Sequence, residues 1–161
     1  MVTLDQLRRF SAHIGADPLL VQAAGGNTSL KQDGVMWIKA SGTWLRDAEA
    51  TNIFVPIDHA RLMAALAQGD TACETCTDFI CSSVTSGGLR PSIETTVHAL
   101  LPQRIVVHVH CVNTIAWAIQ GDAELLNGGK LAGLKWAFIP YAMQGLSLAG
   151  AIAKRLRPEV D

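Results

Sequence analysis

The sequence predicts an α/β fold of three layers, in which helices cover both faces of a mixed, largely antiparallel central sheet. Segments with apolar residues at helical spacing are interspersed with short apolar runs of strand length along the chain. Hydrophobic residues also make up 49% of the chain and charged residues only 17%. Such a balance is typical of extensive burial in a sheet core or between subunits.

The first third of the chain is predicted to form a helix followed by a hairpin. Apolar residues recur at helical spacing over residues 3–14. An extended segment then runs through Gln22–Leu30, Lys31–Gly34 has the composition of a tight turn, and Val35–Lys39 returns as a strand. A further strand is predicted over Ile53–Ile57.

A second helix is predicted over His59–Gln68, with Asp58 as its N-cap and Gly69 as its natural stop. Residues 70–91 show no clear period and are rich in loop-forming residues, so they are predicted to be irregular. The segment Glu94–Leu101 is then predicted to be helical again.

In the last third, a strand is predicted over Ile105–His110. Two segments, Asn113–Ile119 and Asp122–Leu126, are consistent with helical or irregular structure. Trp136–Pro140 resembles another strand, and Ser147–Leu156 returns to helical spacing.

The composition excludes two classes of partner. A formal net charge of −1 and a pI near 6.5 provide no basic surface for nucleic acid or an anionic membrane. No apolar run reaches the roughly 20 residues that span a bilayer, and no signal-peptide pattern is present, so a cytoplasmic location is expected. Residues 1–161 are expected to form one domain, and the high hydrophobic fraction indicates a homo-oligomer.

The pair His108 and His110 closes an apolar strand. Side chains at i and i+2 of a strand point to one face, so two imidazoles can converge on one metal ion. Upstream, Glu94 and His98 lie one helical turn apart. The alternative for the histidine pair is a packing role in the strand, and His98 is expected to be structural or to support the site.

Three short segments contain residues suited to binding an anion: Gly25–Ser29, Ser41–Thr43 and Ser92. Glycines allow close approach of the backbone, and their N–H groups can form an anion nest. The alternative is that each is an ordinary turn. The pair Cys73 and Cys76 has the spacing of a zinc knuckle. The alternative is that both cysteines are simply small apolar side chains buried in the core.

Taken in order, these motifs resemble the class II aldolase/adducin family. The matching motifs share their order along the chain with that family: Gly26-Asn27-Thr28-Ser29, Ser41-Gly42, Ser92-Ile93-Glu94 and His108-Val109-His110. Within the family, the segment from Leu20 to Asp58 is most similar to the aldolase domain of rhamnulose-phosphate aldolase/dehydrogenase proteins. The resemblance covers nearly the whole chain and implies the three-layer class II aldolase fold.

The resemblance also implies a role for individual residues. His108 and His110 would supply two of three imidazole ligands to Zn²⁺ or another divalent metal, and Glu94 would be the acid/base. The phosphate of a sugar phosphate would be bound by a group of small and polar residues: Gly26, Asn27, Ser41, Gly42 and Ser92. The third histidine is expected beyond Asp161, so the chain is expected to be incomplete at its C-terminus.

The function implied by the resemblance is that of a metal-dependent aldolase. It would cleave a ketose 1-phosphate, such as rhamnulose- or fuculose-phosphate, by a retro-aldol reaction through a metal-stabilised enediolate, in a homo-oligomer expected to be a tetramer. A related epimerase or dehydratase, or a non-catalytic adducin-like interaction domain, are alternatives. A structural zinc module on Cys73 and Cys76 is a third alternative, in which metal binding depends on these cysteines and not on His108.

Overall fold

A computed structural model describes residues 2–82, 87–120 and 131–156. Within these ranges the α-helices and β-strands follow one another along the chain as α1 (Leu4–Gly15), β1 (Asn27–Gln32), β2 (Val35–Lys39), β3 (Phe54–Asp58), α2 (His59–Gln68), α3 (Thr95–Leu100), β4 (Ile105–His108), α4 (Val112–Ala118) and α5 (Leu146–Ala153). Short 3₁₀ helices occur at Leu45–Asp47, Thr71–Glu74 and Thr77–Phe79.

The strands form a four-stranded sheet in the order β3-β2-β1-β4, and each described pairing is antiparallel. Alternate residues of β2 face opposite sides: Met36 and Ile38 pack into the core beneath α2, while Trp37 packs on the side of α1. On that second side, α1 buries Leu7 and Ile14. Helices on both faces of the sheet confirm the predicted three-layer α/β fold.

The hairpin between β1 and β2 is tighter than predicted. β1 continues through Gln32, so only Asp33 and Gly34 form the turn, with φ of 52° and 80°. Two residues at positive φ match the twist of the flanking strands, and this explains the Asp-Gly pair. The predicted extended segment from Gln22 is wrong in its first part, because β1 begins only at Asn27.

Helix α2 confirms its predicted boundaries. The Asp58 side chain accepts a hydrogen bond from the Arg61 backbone N–H at 3.0 Å, and Gly69 ends the helix in the left-handed conformation at φ 70°. Both signals are local in sequence. They could therefore be predicted without knowledge of the surrounding fold.

In the last third of the chain, the structure corrects two predictions, and a third lies outside the described residues. β4 ends at His108, two residues earlier than predicted, because the His110 backbone N–H donates to the Leu20 carbonyl oxygen at 2.8 Å and leaves the ladder. The run Trp136–Pro140 is not a strand, since an apolar run needs a neighbouring strand as well as suitable residues. The segment Asp122–Leu126 lies outside the described residues.

The part of the chain that the structure describes contains no helix whose length and apolar character would let it cross a lipid bilayer.

The contact between α1 and the 3₁₀ helix Leu45–Asp47 leaves no room for a side chain at Gly15. A Cβ atom at this position would lie 2.6 Å from the Cβ of Leu45, well inside van der Waals contact. We expect Gly15→Ala to lower the free energy of unfolding by about 1–3 kcal/mol, because the helix must move away from the fully buried Leu45. Chemical denaturation of both proteins measures this difference.

Gly150→Ala is the matched control for this prediction. Gly150 lies within α5, and a Cβ atom there meets nothing within 4 Å. Alanine is favoured over glycine in a helix by roughly 0.5–1 kcal/mol, so this variant should be as stable as the parent or more stable. Equal stability of Gly15→Ala and Gly150→Ala would contradict the described packing.

Candidate active site

The residues proposed from the sequence for catalysis, metal binding and phosphate binding meet in one cleft of about 610 Å³. All of them line this cleft: Gly26, Asn27, Ser41, Gly42, Ser92, Glu94, His108 and His110. The cleft lies where β1 begins and β4 ends, because Asn27 is opposite His108 in the antiparallel ladder. Residues 24–27, called the site loop below, lead into β1 at this edge of the sheet.

Asn27 connects the site loop to the segment before α3. Its Nδ2 donates to Glu94 Oε2 at 2.8 Å and to Ser92 Oγ at 3.3 Å, and the backbone N–H of Glu94 also donates to Ser92 Oγ at 3.3 Å. The amide nitrogen must face Glu94, since the amide oxygen would only repel a carboxylate. With the Asn27 side chain buried, this arrangement gives the Glu94 carboxylate a fixed orientation.

Glu94 and His108 form the central pair of the cleft. The distance from Glu94 Oε2 to His108 Nδ1 is 2.5 Å. Burial raises the pKa of Glu94, but the hydrogen bonds from His108 and Asn27 outweigh it and hold the pKa below its usual range. Because a carboxylate only accepts, the ring proton of His108 lies on Nδ1, and the lone pair of Nε2 is left for a cation.

His110 lies beside His108 but is held by different contacts. The two ring centroids are 4.9 Å apart and the ring planes are tilted by 59°. The backbone of His110 is anchored to Leu20, and its ring lies against Gly25 of the site loop. Burial, and then the neighbouring His108, lower the pKa of His110 and favour the neutral ring that a metal ligand requires.

Among the described residues, the cleft contains candidates for two of the three protein ligands that a catalytic zinc ion requires. Two imidazoles line one cleft, and the hydrogen bond from His108 to a carboxylate is the usual second contact of a metal-bound histidine. A catalytic zinc site uses three protein ligands. Among residues 2–82, 87–120 and 131–156, no three His, Cys, Asp or Glu side chains are grouped as a metal ion requires. His108 and His110 would therefore hold the ion together with a ligand from elsewhere.

The predicted phosphate-binding residues line the same cleft, but they differ in which hydrogen-bonding groups remain for a ligand. The Ser41 backbone N–H already donates to the Arg90 carbonyl oxygen at 2.9 Å, so Ser41 has its hydroxyl group left for a ligand. The Ser92 oxygen accepts from Asn27 and from the Glu94 backbone, which leaves the Ser92 hydroxyl hydrogen to donate. Gly42 adopts φ 77°, a conformation that favours glycine.

Lys39 is a cleft residue that the sequence reasoning missed. It is the last residue of β2, only 2% of it is exposed, and its Nζ donates to the Ala24 carbonyl oxygen at 2.9 Å. Burial lowers its pKa to about 8, while the charge of Glu94 opposes this shift. A lysine that ends an apolar strand two residues before Ser41 was the available signal, because a buried ammonium group needs a specific partner.

The expectation that His98 is structural agrees with its surroundings. His98 is fully buried, and its Nδ1 lies 2.8 Å from Ser29 Oγ on β1. Burial lowers the pKa of His98 to about 3, with the charge of Glu94 acting in the opposite direction. The neutral ring of His98 thus packs between α3 and the sheet, one helical turn after Glu94. Cys73 and Cys76 are likewise buried, and burial raises the pKa of both thiols.

The chain is similar in sequence to proteins that are already known. Residues 9–161 match the family described as the Class II Aldolase and Adducin N-terminal domain. The protein named uncharacterized oxidoreductase YuxG, from Bacillus subtilis strain 168, is 29% identical over 152 residues, which are 88% of this chain and 22% of YuxG. The chain therefore spans about a fifth of the length of this curated relative.

A solved structure is also similar over nearly the whole chain. It is the N-terminal class II aldolase domain of a conserved protein from Thermoplasma acidophilum, with a TM-score of 0.79 and 26% sequence identity. The similarity covers 99% of this chain and 78% of the other. The three-layer arrangement described above is therefore shared with a class II aldolase domain.

Acid sensitivity of folding is predicted from the burial of His98. Its pKa falls from an ordinary 6.5 to about 3 in the folded chain, so between these values only the unfolded chain binds the proton. Stability from this residue is present above pH 6.5 and is lost as the pH falls towards 3. We expect the free energy of unfolding to be about 2–3 kcal/mol lower at pH 4.5 than at pH 7.5 from this residue alone.

The measurement is urea denaturation across this pH range for the parent, His98→Gln and His13→Gln. His98→Gln should be less stable at neutral pH but should lose less stability on acidification. His13 is exposed on α1, so its variant should follow the parent. Equal acid sensitivity of the parent and His98→Gln would contradict the prediction.

Proposed function

This chain belongs to the class II aldolase and adducin family, and from that premise we propose that it is a divalent-metal-dependent aldolase acting on a phosphorylated ketose. One observation carries the proposal. The Glu94 carboxylate, oriented by Asn27 and His108, faces the same cleft as His110 and the polar residues suited to a phosphate. An acid/base, two metal ligands and an anion site are the parts that a retro-aldol cleavage requires.

The phosphate group of the substrate would bind to Ser41, Gly42 and Ser92, which line the cleft. The free hydroxyl hydrogens of both serines can donate to phosphate oxygens. The ammonium group of Lys39 lines the same cleft and supplies positive charge, which strengthens hydrogen bonding to a dianion. Glu94, His108 and His110 would then be left for the carbon chain of the ketose.

Cleavage of the bond between the α and β carbons of a β-hydroxy ketone releases an aldehyde and leaves negative charge on the remaining fragment. When bound by His108 and His110, a divalent ion supplies a Lewis acid for the oxygens that carry this charge. Glu94 would take the proton of the β-hydroxyl group as that group becomes the carbonyl of the aldehyde, and would return it to the carbon from which the aldehyde departs. Its lowered pKa keeps it as a carboxylate in the resting site, ready to accept that proton.

For the sugar itself we propose a deoxyketose phosphate, such as rhamnulose- or fuculose-phosphate. Ile93 and Ile115 line the cleft with 52% and 46% of their surface exposed. Apolar side chains exposed beside the polar residues of a cleft are suited to a substrate that ends in a methyl group. An epimerase or dehydratase acting on a similar sugar would use the same residues, so identification of the products distinguishes these reactions.

A second candidate is a non-catalytic interaction domain of the adducin kind. It is favoured by the donor set, since the described ranges contribute His108 and His110 without a third grouped ligand. The retained hydrogen bond between Glu94 and His108 favours the enzyme, because a scaffold has no need for a buried carboxylate beside an imidazole.

Assembly into a homo-oligomer, a tetramer in our prediction, is part of the proposal. The proposal is supported by α4, whose described residues include none that is buried. Val112 and Ile115 on α4, and Ile119 just after it, have 44%, 46% and 78% of their surface exposed. Exposed apolar residues in one row are typical of subunit interfaces.

Metal content tests the proposed ligands. We expect the full-length protein, with its third ligand, to bind Zn²⁺ or another divalent ion and its His108→Ala variant to lose it, because one of the two described ligands is removed. The measurement is the metal-to-protein ratio by elemental analysis after dialysis against a defined low concentration of Zn²⁺. His13→Ala is the matched control, since His13 is exposed on α1 and should leave the ratio unchanged. Equal metal content in His108→Ala and the parent would refute the ligand assignment.

Replacement of the acid/base tests catalysis separately from metal binding. Glu94→Gln should retain bound metal but lower kcat by roughly 10²–10⁴-fold, because proton transfer is lost while the side-chain shape is kept. The assay follows aldehyde release from a panel of ketose 1-phosphates. Glu49→Gln is the control, since Glu49 is exposed and its carboxylate pairs with Arg9 at 4.0 Å, outside the cleft. Full turnover in Glu94→Gln would exclude the assigned role.

A further inference from the structure

Gly25 and the imidazole of His110 are in closer contact than any side chain at position 25 would allow. A Cβ atom on Gly25 would lie 2.8 Å from Nδ1 and 2.9 Å from Cε1 of His110. These distances are shorter than real Cβ atoms show in proteins, so one of the two groups would have to move. The ring therefore occupies the space that a side chain at position 25 would need.

The backbone conformation of Gly25 does not by itself require glycine. Its neighbour Gly26 has φ 65°, in the left-handed region, whereas Gly25 is not among the residues with positive φ. Alanine at position 25 is therefore compatible with the local chain direction. The requirement for glycine at this position comes from the space taken by the His110 ring and from the Gln22 carbonyl oxygen, which would lie 2.9 Å from an added Cβ.

His110 depends on this contact because it lies outside the sheet. β4 ends at His108, so ladder hydrogen bonds do not hold the residue two positions later. Its segment instead runs along residues 19–20, where the His110 and Val112 backbone N–H groups donate to the carbonyl oxygens of Leu20 and Leu19 at 2.8 and 2.9 Å. The backbone is thus fixed by residues 19–20, and the ring rests against Gly25.

We propose that Gly25 is a positioning residue that sets the place of the His110 imidazole relative to His108. The inference rests on the proposed function, in which both rings hold one divalent ion. A methyl group at position 25 displaces the ring of His110 while His108 stays in the ladder, so the two donors no longer converge. Residues that orient metal ligands commonly change metal affinity by about 10- to 100-fold when they are replaced.

The first experiment measures the affinity of the full chain for Co²⁺ and Zn²⁺. Gly25→Ala should bind Co²⁺ at least tenfold more weakly than the parent and should change the visible absorption of bound Co²⁺. Gly150→Ala is the matched control, because the same methyl group is added where nothing lies within 4 Å. Parental affinity and an unchanged spectrum in Gly25→Ala would overturn the proposal.

The second experiment observes His110 without metal and separates this proposal from the proposed function. In the metal-free chain, the imidazole signals of His110 in a proton–nitrogen NMR spectrum should shift in Gly25→Ala, while those of His13 stay in place. If the parent binds no metal but His110 shifts, the positioning role stands and the metal assignment fails. If His110 does not shift, the positioning role is wrong.

A double variant covers the case in which Gly25→Ala destabilises the chain. The added Cβ would also lie 2.9 Å from the Gln22 carbonyl oxygen, so part of any loss could arise within the loop itself. Removal of the ring in Gly25→Ala/His110→Ala should recover stability relative to Gly25→Ala if the clash is with His110. Equal unfolding midpoints in these two variants would place the clash at Gln22 and overturn the proposal.

Discussion

The candidate site depends on one short stretch of backbone, the site loop of residues 24–27. The four consecutive residues of this loop each meet a different functional group. The first accepts a hydrogen bond from Lys39 Nζ, the second faces the ring of His110, the third lies under the backbone carbonyl of His108, and the fourth donates to Glu94. Because neighbouring residues cannot move independently, a change in this loop alters the relative positions of all these groups.

The sheet gives this loop a fixed position. Asn27 opens β1 and lies opposite His108 in β4, while Ser29 on the same strand contacts the buried ring of His98. A shift of the register by one residue would turn every side chain of a strand to the other face, so the packing of Met36 and Ile38 on one side of β2 and of Trp37 on the other also determines the site. The apolar cores on both faces of the sheet thus stabilise the arrangement of polar groups at its edge.

Burial and hydrogen bonding together determine the charge of the groups in the cleft. Glu94 stays anionic because His108 and Asn27 donate to it, and burial lowers the pKa of His110 and favours its neutral ring. Neutral rings can accept a cation, and an anionic carboxylate can accept a proton. Burial therefore has two effects: each polar group needs a hydrogen-bond partner, and each group is held in the charge state that its proposed role requires.

Short-range patterns in the amino-acid order were sufficient for the fold class and for the boundaries of α2, whereas the residues that line the cleft were predicted from the resemblance to the family. Caps, turns and alternating burial act over a few residues, and the motif order carried the resemblance to the family. The end of β4 before His110, the absence of a strand at Trp136–Pro140 and the place of Lys39 required the folded chain. Each depends on a partner distant in sequence, such as Leu20 for His110, and local propensity holds no information about such partners.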